Sequence, residues 1–156
     1  MSTLNEAVEE FLAQKRIAVA GVSREGGLPS NSIYKKLKDH GYQVFPINPK
    51  AEEVEGDKCY PNLQAIPDGV DGVVIATHPK VTEEIVHDCA EAGVSRVWIH
   101  RSFGQGSVSD SAVAYCRDNN IAVIAGGCPM MVCEPDVAHK CMRWFLGVTG
   151  SLPKEI

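Results

Sequence analysis

The stretch Arg16-Ile-Ala-Val-Ala-Gly-Val-Ser-Arg-Glu-Gly-Gly27 decides the fold, because a short aliphatic run passes into a glycine-rich turn and then into a helical pattern. A buried strand that feeds a turn and a helix is an architecture that holds phosphate at the helix N-terminus. The dinucleotide fingerprint places glycine at the first, third and sixth positions of such a turn, and here Gly21, Ser23 and Gly26 occupy them. The middle glycine ordinarily lets the backbone approach a pyrophosphate closely. Ser23 therefore argues for a related nucleotide seated differently, with its hydroxyl as an added hydrogen-bond donor.

Upstream, Thr3 and Glu6 have capping-box spacing, and Leu4, Val8, Phe11 and Leu12 repeat with helical period, which predicts an amphipathic helix over residues 3–14. Downstream, Ser30 is placed to cap a helix that carries Ile33, Tyr34 and Leu37 and stops at Gly41. A second strand spans 42–47 and ends at Asn48-Pro49, since proline cannot continue a ladder. Residues 51–69 read as a polar connection with one helical turn near 63–66. Strands are then expected at 72–76, 96–99 and 121–125, helices at 81–92 and 109–119, and a last helix at 135–146.

Alternating strands and helices, with aliphatic runs such as Val73-Val74-Ile75-Ala76, predict an α/β fold. The expected form is a doubly wound, mostly parallel five-stranded Rossmann-like sheet with helices on both faces and an extra N-terminal and C-terminal helix, all in a single domain over 1–156. Ligands of such folds lie beyond the carboxyl ends of the strands, which nominates the turns after Ala20, Ile47, Ala76, Ile99 and Ala125.

Composition narrows the function classes. A hydrophobic fraction of 44% with 22% charged residues is ordinary for a globular protein and excludes a disordered or collagen-like chain. The formal net charge of −5 argues against broad nucleic-acid binding but is compatible with a small phosphorylated ligand. The first residues lack the apolar core of a signal peptide and no apolar run reaches the ~20 residues of a membrane span, so a cytoplasmic location with six reduced cysteines is expected. Apolar edges and the terminal helix are compatible with a homodimer.

At the end of the second strand a NAD-binding unit commonly carries an acid for the ribose 2′-hydroxyl, whereas this chain reads Asn48-Pro49-Lys50. A neutral amide beside a cation removes repulsion toward a ribose phosphate, either the 3′-phosphate of coenzyme A (CoA) or the 2′-phosphate of NADP. The plainer alternative is that Asn-Pro merely ends the strand.

With Gly21-x-Ser23, Pro29-Ser30, Gly41-Tyr42, Pro46-Ile47-Asn48-Pro49 and Cys59-Tyr60-Pro61 in order, the chain resembles the CoA-binding domain family of small Rossmann-like proteins, over roughly 17–130. It is more distantly similar to the N-terminal domain of the succinyl-CoA synthetase alpha subunit, where a strand also ends in a turn like Cys128-Pro129. The resemblance implies that Gly21, Val22, Ser23 and Arg24 face the CoA phosphates, with Ser30 near the following helix N-terminus. It implies that Asn48, Pro49 and Lys50 lie beside the adenosine 3′-phosphate, and that Ala76, Thr77, His78 and Pro79 run along the adenine, pyrophosphate or pantetheine. The implied ligand is CoA or an acyl-CoA, bound by a non-catalytic or regulatory protein. An NADP-linked oxidoreductase and a CoA-binding component of an acyl-CoA ligase acting with another chain are the alternatives.

Other reactive residues have simpler readings. His78, His100, Arg101 and Cys128 all follow expected strands, but sheet topology alone brings such residues to one rim, and His78 reads equally as a surface or capping histidine. Cys128, Cys133, His139 and Cys141 lack the close cysteine pairs of structural zinc sites and fit a terminal amphipathic helix better. The loop His100-Arg101-Ser102-Phe103-Gly104-Gln105-Gly106-Ser107 holds two glycines, a capping serine and a fixed cation that could close over a ligand.

Overall fold

In the strand β1 (Arg16–Ala20) every residue after Arg16 is buried. The computed structural model describes residues 4–101 and 106–127. In these, α1 (Leu4–Leu12), β1, α2 (Pro29–Asp39) and β2 (Gln43–Ile47) are followed by two short strands, β3 (Glu53–Val54) and β4 (Asp57–Lys58). A 3₁₀ turn at Leu63–Ala65 leads to β5 (Gly72–Ile75), α3 (Pro79–Glu91), β6 (Arg96–Ile99), α4 (Asp110–Asp118) and β7 (Ala122–Ala125).

Five strands form one sheet in the order β2-β1-β5-β6-β7, and every pairing in it is parallel. Alternate residues divide its two faces. Ile17, Val19, Val74, Trp98 and Ile124 pack against Phe11 of α1 and Ile33, Tyr34 and Leu37 of α2. Ala18, Ala20, Val73, Ile75, Val97, Ile99 and Val123 pack against Val86 and Cys89 of α3 and Ala112 and Cys116 of α4. The sheet is therefore doubly wound and Rossmann-like, with helices on both faces. The expected helix at 135–146 lies outside the described residues.

Local departures have physical causes. The first helix stops at Leu12 rather than 14, because the amides of Lys15 and Arg16 turn to the Asp71 carboxylate at 3.3 and 3.0 Å. Ser30 is not the cap of α2: Leu28 holds that position without a side-chain bond, Pro29 starts the helix, and Ser30 Oγ donates instead to the Gly21 carbonyl at 2.9 Å. The helix expected from Val81 begins at Pro79, because the His78 ring accepts from Lys80 N–H and serves as its N-cap. The cap of α4 is Ser109 rather than a serine of the 100–107 loop.

The polar connection after β2 holds a β3–β4 hairpin that the periodicity did not show. Its turn, Glu55-Gly56, has φ of +49° and +78°, a pair of left-handed residues of the kind a tight hairpin requires. Pro46 is tolerated because β2 is an edge strand, and that edge is partly covered by Tyr60, which exchanges bonds with Pro46 O and Asn48 N–H at 2.9 Å each.

Candidate functional site

The strand order reverses between β1 and β5, because the chain leaves β1 for β2 on one side and returns to β5 on the other. A crevice at the carboxyl ends of these two strands is the expected ligand position in such a sheet. Gly21 stands at the lip of that crevice. Its backbone has φ +97°, and a Cβ there would lie 2.2 Å from the Ala76 carbonyl oxygen and 3.1 Å from Thr77 Cγ2. The first glycine of the turn is thus demanded twice, by conformation and by close approach of β5.

The turn itself is tied down from three directions. Gly21 N–H donates to Ile47 O at 3.1 Å, Asn48 Nδ2 donates to Val22 O at 3.0 Å, and the Arg24 guanidinium reaches Lys50 O at 3.4 Å. Asn48 Oδ1 also accepts from Lys50 N–H at 2.8 Å. The end of β2 and the glycine turn are therefore one unit, and the Asn48 amide is spent on holding it together. Ser23 Oγ accepts from Glu25 N–H at 3.1 Å, which leaves its own proton to donate.

Not all amides of the turn face outward. Ser23 N–H is taken by Asn31 Oδ1 at 3.0 Å and Gly26 N–H by Ser23 O at 3.3 Å. Among the described residues no hydrogen bond engages the amides of Arg24 or Gly27, both exposed. These two N–H groups and the Ser23 hydroxyl are donors the turn does not use internally, whereas in the first turn of α2 Pro29 has no N–H and the amides of Asn31 and Ser32 donate to Leu28 O at 3.0 and 3.3 Å.

Beneath the crevice lies a cavity of about 300 Å³, lined by Gly21, Ile47, Asn48, Pro49, Leu63, Thr77, Val81, Ile85, Glu84 and Asp88 among others. One wall is apolar; the α3 side carries the two acids. Burial, then the charges of Glu91 and Glu84, push the Asp88 carboxyl above its ordinary range. Two acids on that wall disfavour an anionic group beside α3. A second, more open cavity of about 650 Å³ adjoins across Pro49 and Pro61 and is lined by Lys50 and Lys58, with Glu52 and Cys59. Burial raises the Cys59 thiol, so it is not poised as a nucleophile.

The sequence-derived candidates thus fall in three places. Gly21, Asn48, Pro49 and Thr77 surround the first cavity. Lys50 lines the second. Val22 is fully buried, Arg24 crosses toward Lys50, Ser30 braces Gly21, and Ala76 forms the β5 lip. His78 and Pro79 line neither cavity and start α3. Sequence reasoning missed Lys58, Asn31 and Glu55, which the hairpin and α2 bring to the site. Cys128 and the cysteine–histidine group after it lie outside the described residues, and no group of three or more metal-ligating side chains occurs among the described ones.

A sequence model of the CoA binding domain matches residues 15–134. The chain belongs to that family. This CoA-binding domain is related to acetate–CoA ligases of the ADP-forming type, among them ligase II of Archaeoglobus fulgidus, 39% identical over 56% of this chain and 13% of the relative. The alpha subunit of ligase II of Pyrococcus furiosus is 33% identical over 59% of this chain and 20% of the subunit. The CoA-binding domain thus spans a fifth or less of these two relatives. Among solved structures, a hypothetical protein from Pyrococcus horikoshii superposes with a TM-score of 0.74 at 34% identity, over 81% of this chain and 87% of that one. No helix among the described residues is long and apolar enough to cross a membrane.

Proposed function

We propose that this CoA-binding domain holds CoA or an acyl-CoA along the carboxyl edge of β1, β2 and β5, as a binding or regulatory protein without chemistry of its own. The observation that carries this reading is the continuity of the two cavities across Pro49 and Pro61, with the glycine turn above one and two lysines on the other. In this reading the turn Gly21, Val22, Ser23 and Arg24 receives the diphosphate through the Arg24 and Gly27 amides and the Ser23 hydroxyl. The ribose phosphate sits between Lys50 and Lys58, beside Asn48 and Pro49. Ala76 and Thr77 flank the diphosphate, and His78 and Pro79 act through the start of α3 rather than by contact.

The test is calorimetric titration with CoA, acetyl-CoA, dephospho-CoA, NAD and NADP side by side. CoA species should bind more tightly than either nicotinamide nucleotide, and Lys50→Glu should weaken CoA roughly fivefold or more while leaving dephospho-CoA nearly unchanged. Equal weakening of both ligands removes Lys50 from the phosphate, and no preference for any CoA species refutes the reading.

One observation favours a second reading, a component of an acyl-CoA ligase: a relative named as an alpha subunit is five times the length matched here. That reading requires a second chain that co-purifies with this one and forms acyl-CoA from acetate, CoA and ATP only in its presence.

A further inference from the structure

Asn31 lies on α2, is 1% exposed, and uses its whole side-chain amide on two partners. Its Oδ1 accepts from Ser23 N–H at 3.0 Å, and its Nδ2 donates to Ser23 O at 2.8 Å and to Glu55 Oε1 at 2.9 Å. Only the nitrogen can donate to a carboxylate and only the oxygen can accept from Ser23 N–H, so Glu55 reinforces the orientation of the amide that Ser23 requires. An amide that bonds both the N–H and the C=O of one residue acts as a stretch of partner strand: Ser23 can rotate neither of its flanking peptides without losing a bond.

Glu55 is held in turn by the tip of the β3–β4 hairpin, where it takes a left-handed φ of +49°, and by Lys35 Nζ at 3.9 Å. Asp57, on the next strand of the hairpin, accepts from Tyr34 Oη and from Lys38. The two carboxylates therefore grip residues 31, 34, 35 and 38, a single stripe of α2. That hairpin also carries Lys58 to the open cavity. We propose that Asn31, braced by Glu55, is the positioning residue that sets the anion-binding form of the 21–27 turn, so that the hairpin couples this turn to the lysine-lined cavity. The inference rests on the reading of that turn as a phosphate cradle.

The consequence is a division of labour among the amides. With Ser23 N–H committed to Asn31, the exposed Arg24 and Gly27 amides and the Ser23 hydroxyl are the donors left for a ligand in a turn that is already ordered, which lowers the ordering cost of binding. Glu55 also lies near the turn, with Oε1 3.7 Å from where a Cβ on Gly26 would stand. Its charge opposes a phosphate there, so its bracing role and its electrostatic role have opposite signs.

The experiment measures CoA affinity by calorimetry and, in the ligand-free protein, hydrogen exchange at the Ser23 amide, for Asn31→Ala, Glu55→Ala and Glu55→Gln. Asn31→Ala should speed Ser23 exchange and weaken CoA by about tenfold or more with an unchanged circular dichroism spectrum. Glu55→Ala should do both to a smaller extent. Glu55→Gln keeps an acceptor for Asn31 and removes the opposing charge, so it should restore exchange and give an affinity at or above that of the wild type. The proposal fails if Asn31→Ala stays within twofold of wild type in exchange and affinity, or if Glu55→Gln is no better than Glu55→Ala. The Glu55 pair decides the matter should Asn31→Ala unfold. If the wild type binds no CoA species the functional reading falls, and Ser23 exchange alone still decides whether Asn31 sets the turn.

Discussion

Gly21→Ala is the sharpest perturbation the structure offers, because its cost separates into two parts that a second variant can isolate. A Cβ at Gly21 would stand 2.2 Å from the Ala76 oxygen and 2.9 Å from its carbonyl carbon, both backbone atoms that cannot rotate away. Relieving this requires β1 and β5 to part at their carboxyl ends by about 1 Å, an overpacking of the kind that costs about 1–3 kcal/mol. The backbone at φ +97° adds a conformational penalty of about 1–3 kcal/mol for a residue with a side chain. Together these come to about 4 kcal/mol, or a fall in Tm of about 8–16 °C for a domain of this size. Gly27→Ala has φ +79° with nothing within 4 Å of its Cβ, so it should show the conformational part alone. Urea unfolding of both variants, followed by circular dichroism, gives the difference, and CoA titration below the transition should show a weaker complex for Gly21→Ala. The reasoning is refuted if the two variants unfold within 0.5 kcal/mol of each other, since the close approach of β5 would then carry no cost.

Lys58→Gln should reproduce the selectivity of Lys50→Glu in the same titration, weakening CoA more than dephospho-CoA; an unchanged ratio would remove Lys58 from the ribose phosphate. Hydrogen bonds from Lys38 and then Tyr34 hold the Asp57 carboxyl below its ordinary range. A depressed folded pKa stabilises above the unfolded value near 3.9, and that stability is lost as pH falls through the folded value. Asp57→Asn should therefore lower the urea midpoint at pH 7 and flatten the decline below about pH 4, and a midpoint curve parallel to the wild type's would contradict this. Burial pushes the Cys116 thiol up to about 11 and raises Cys89 as well, so both should resist iodoacetamide at pH 8 until urea unfolds the chain; peptide mass spectrometry reads the outcome. His78→Ala should cost about 1 kcal/mol through the lost α3 cap, and His78→Asp should recover it, as thermal unfolding will show.

Much of the fold was legible because its signals are local. Val73, Val74 and Ile75 read as a strand from their apolar run, and Ile33, Tyr34 and Leu37 read as a helix face from their spacing. The hairpin was not legible, since strands of two residues carry no period and Glu55-Gly56 is a weaker turn signal than Asn-Gly. Ser30 was misjudged, since it looks like a cap while Leu28 holds that position and Pro29 opens the helix, whereas the capping reading of His78 agrees with its place at the start of α3. Asn31 left no mark at all in the sequence, because a polar residue on a helix is ordinary until a partner across the turn is known.

The sequence by itself determined that strands alternate with helices, that the first turn needs Gly21 and tolerates Ser23, and that Asn48-Pro49-Lys50 offers a cation where a ribose acid is usual. These are properties of neighbouring residues, and neighbouring residues carry them. Only the tertiary structure decided that β5 lies beside β1 on the side away from β2, that the Ser23 amide belongs to Asn31, and that Lys58 lines the same open cavity as Lys50. Each of those joins residues far apart in the chain, and which of them meet depends on strand order and on the hairpin's grip on α2, neither of which a local pattern encodes.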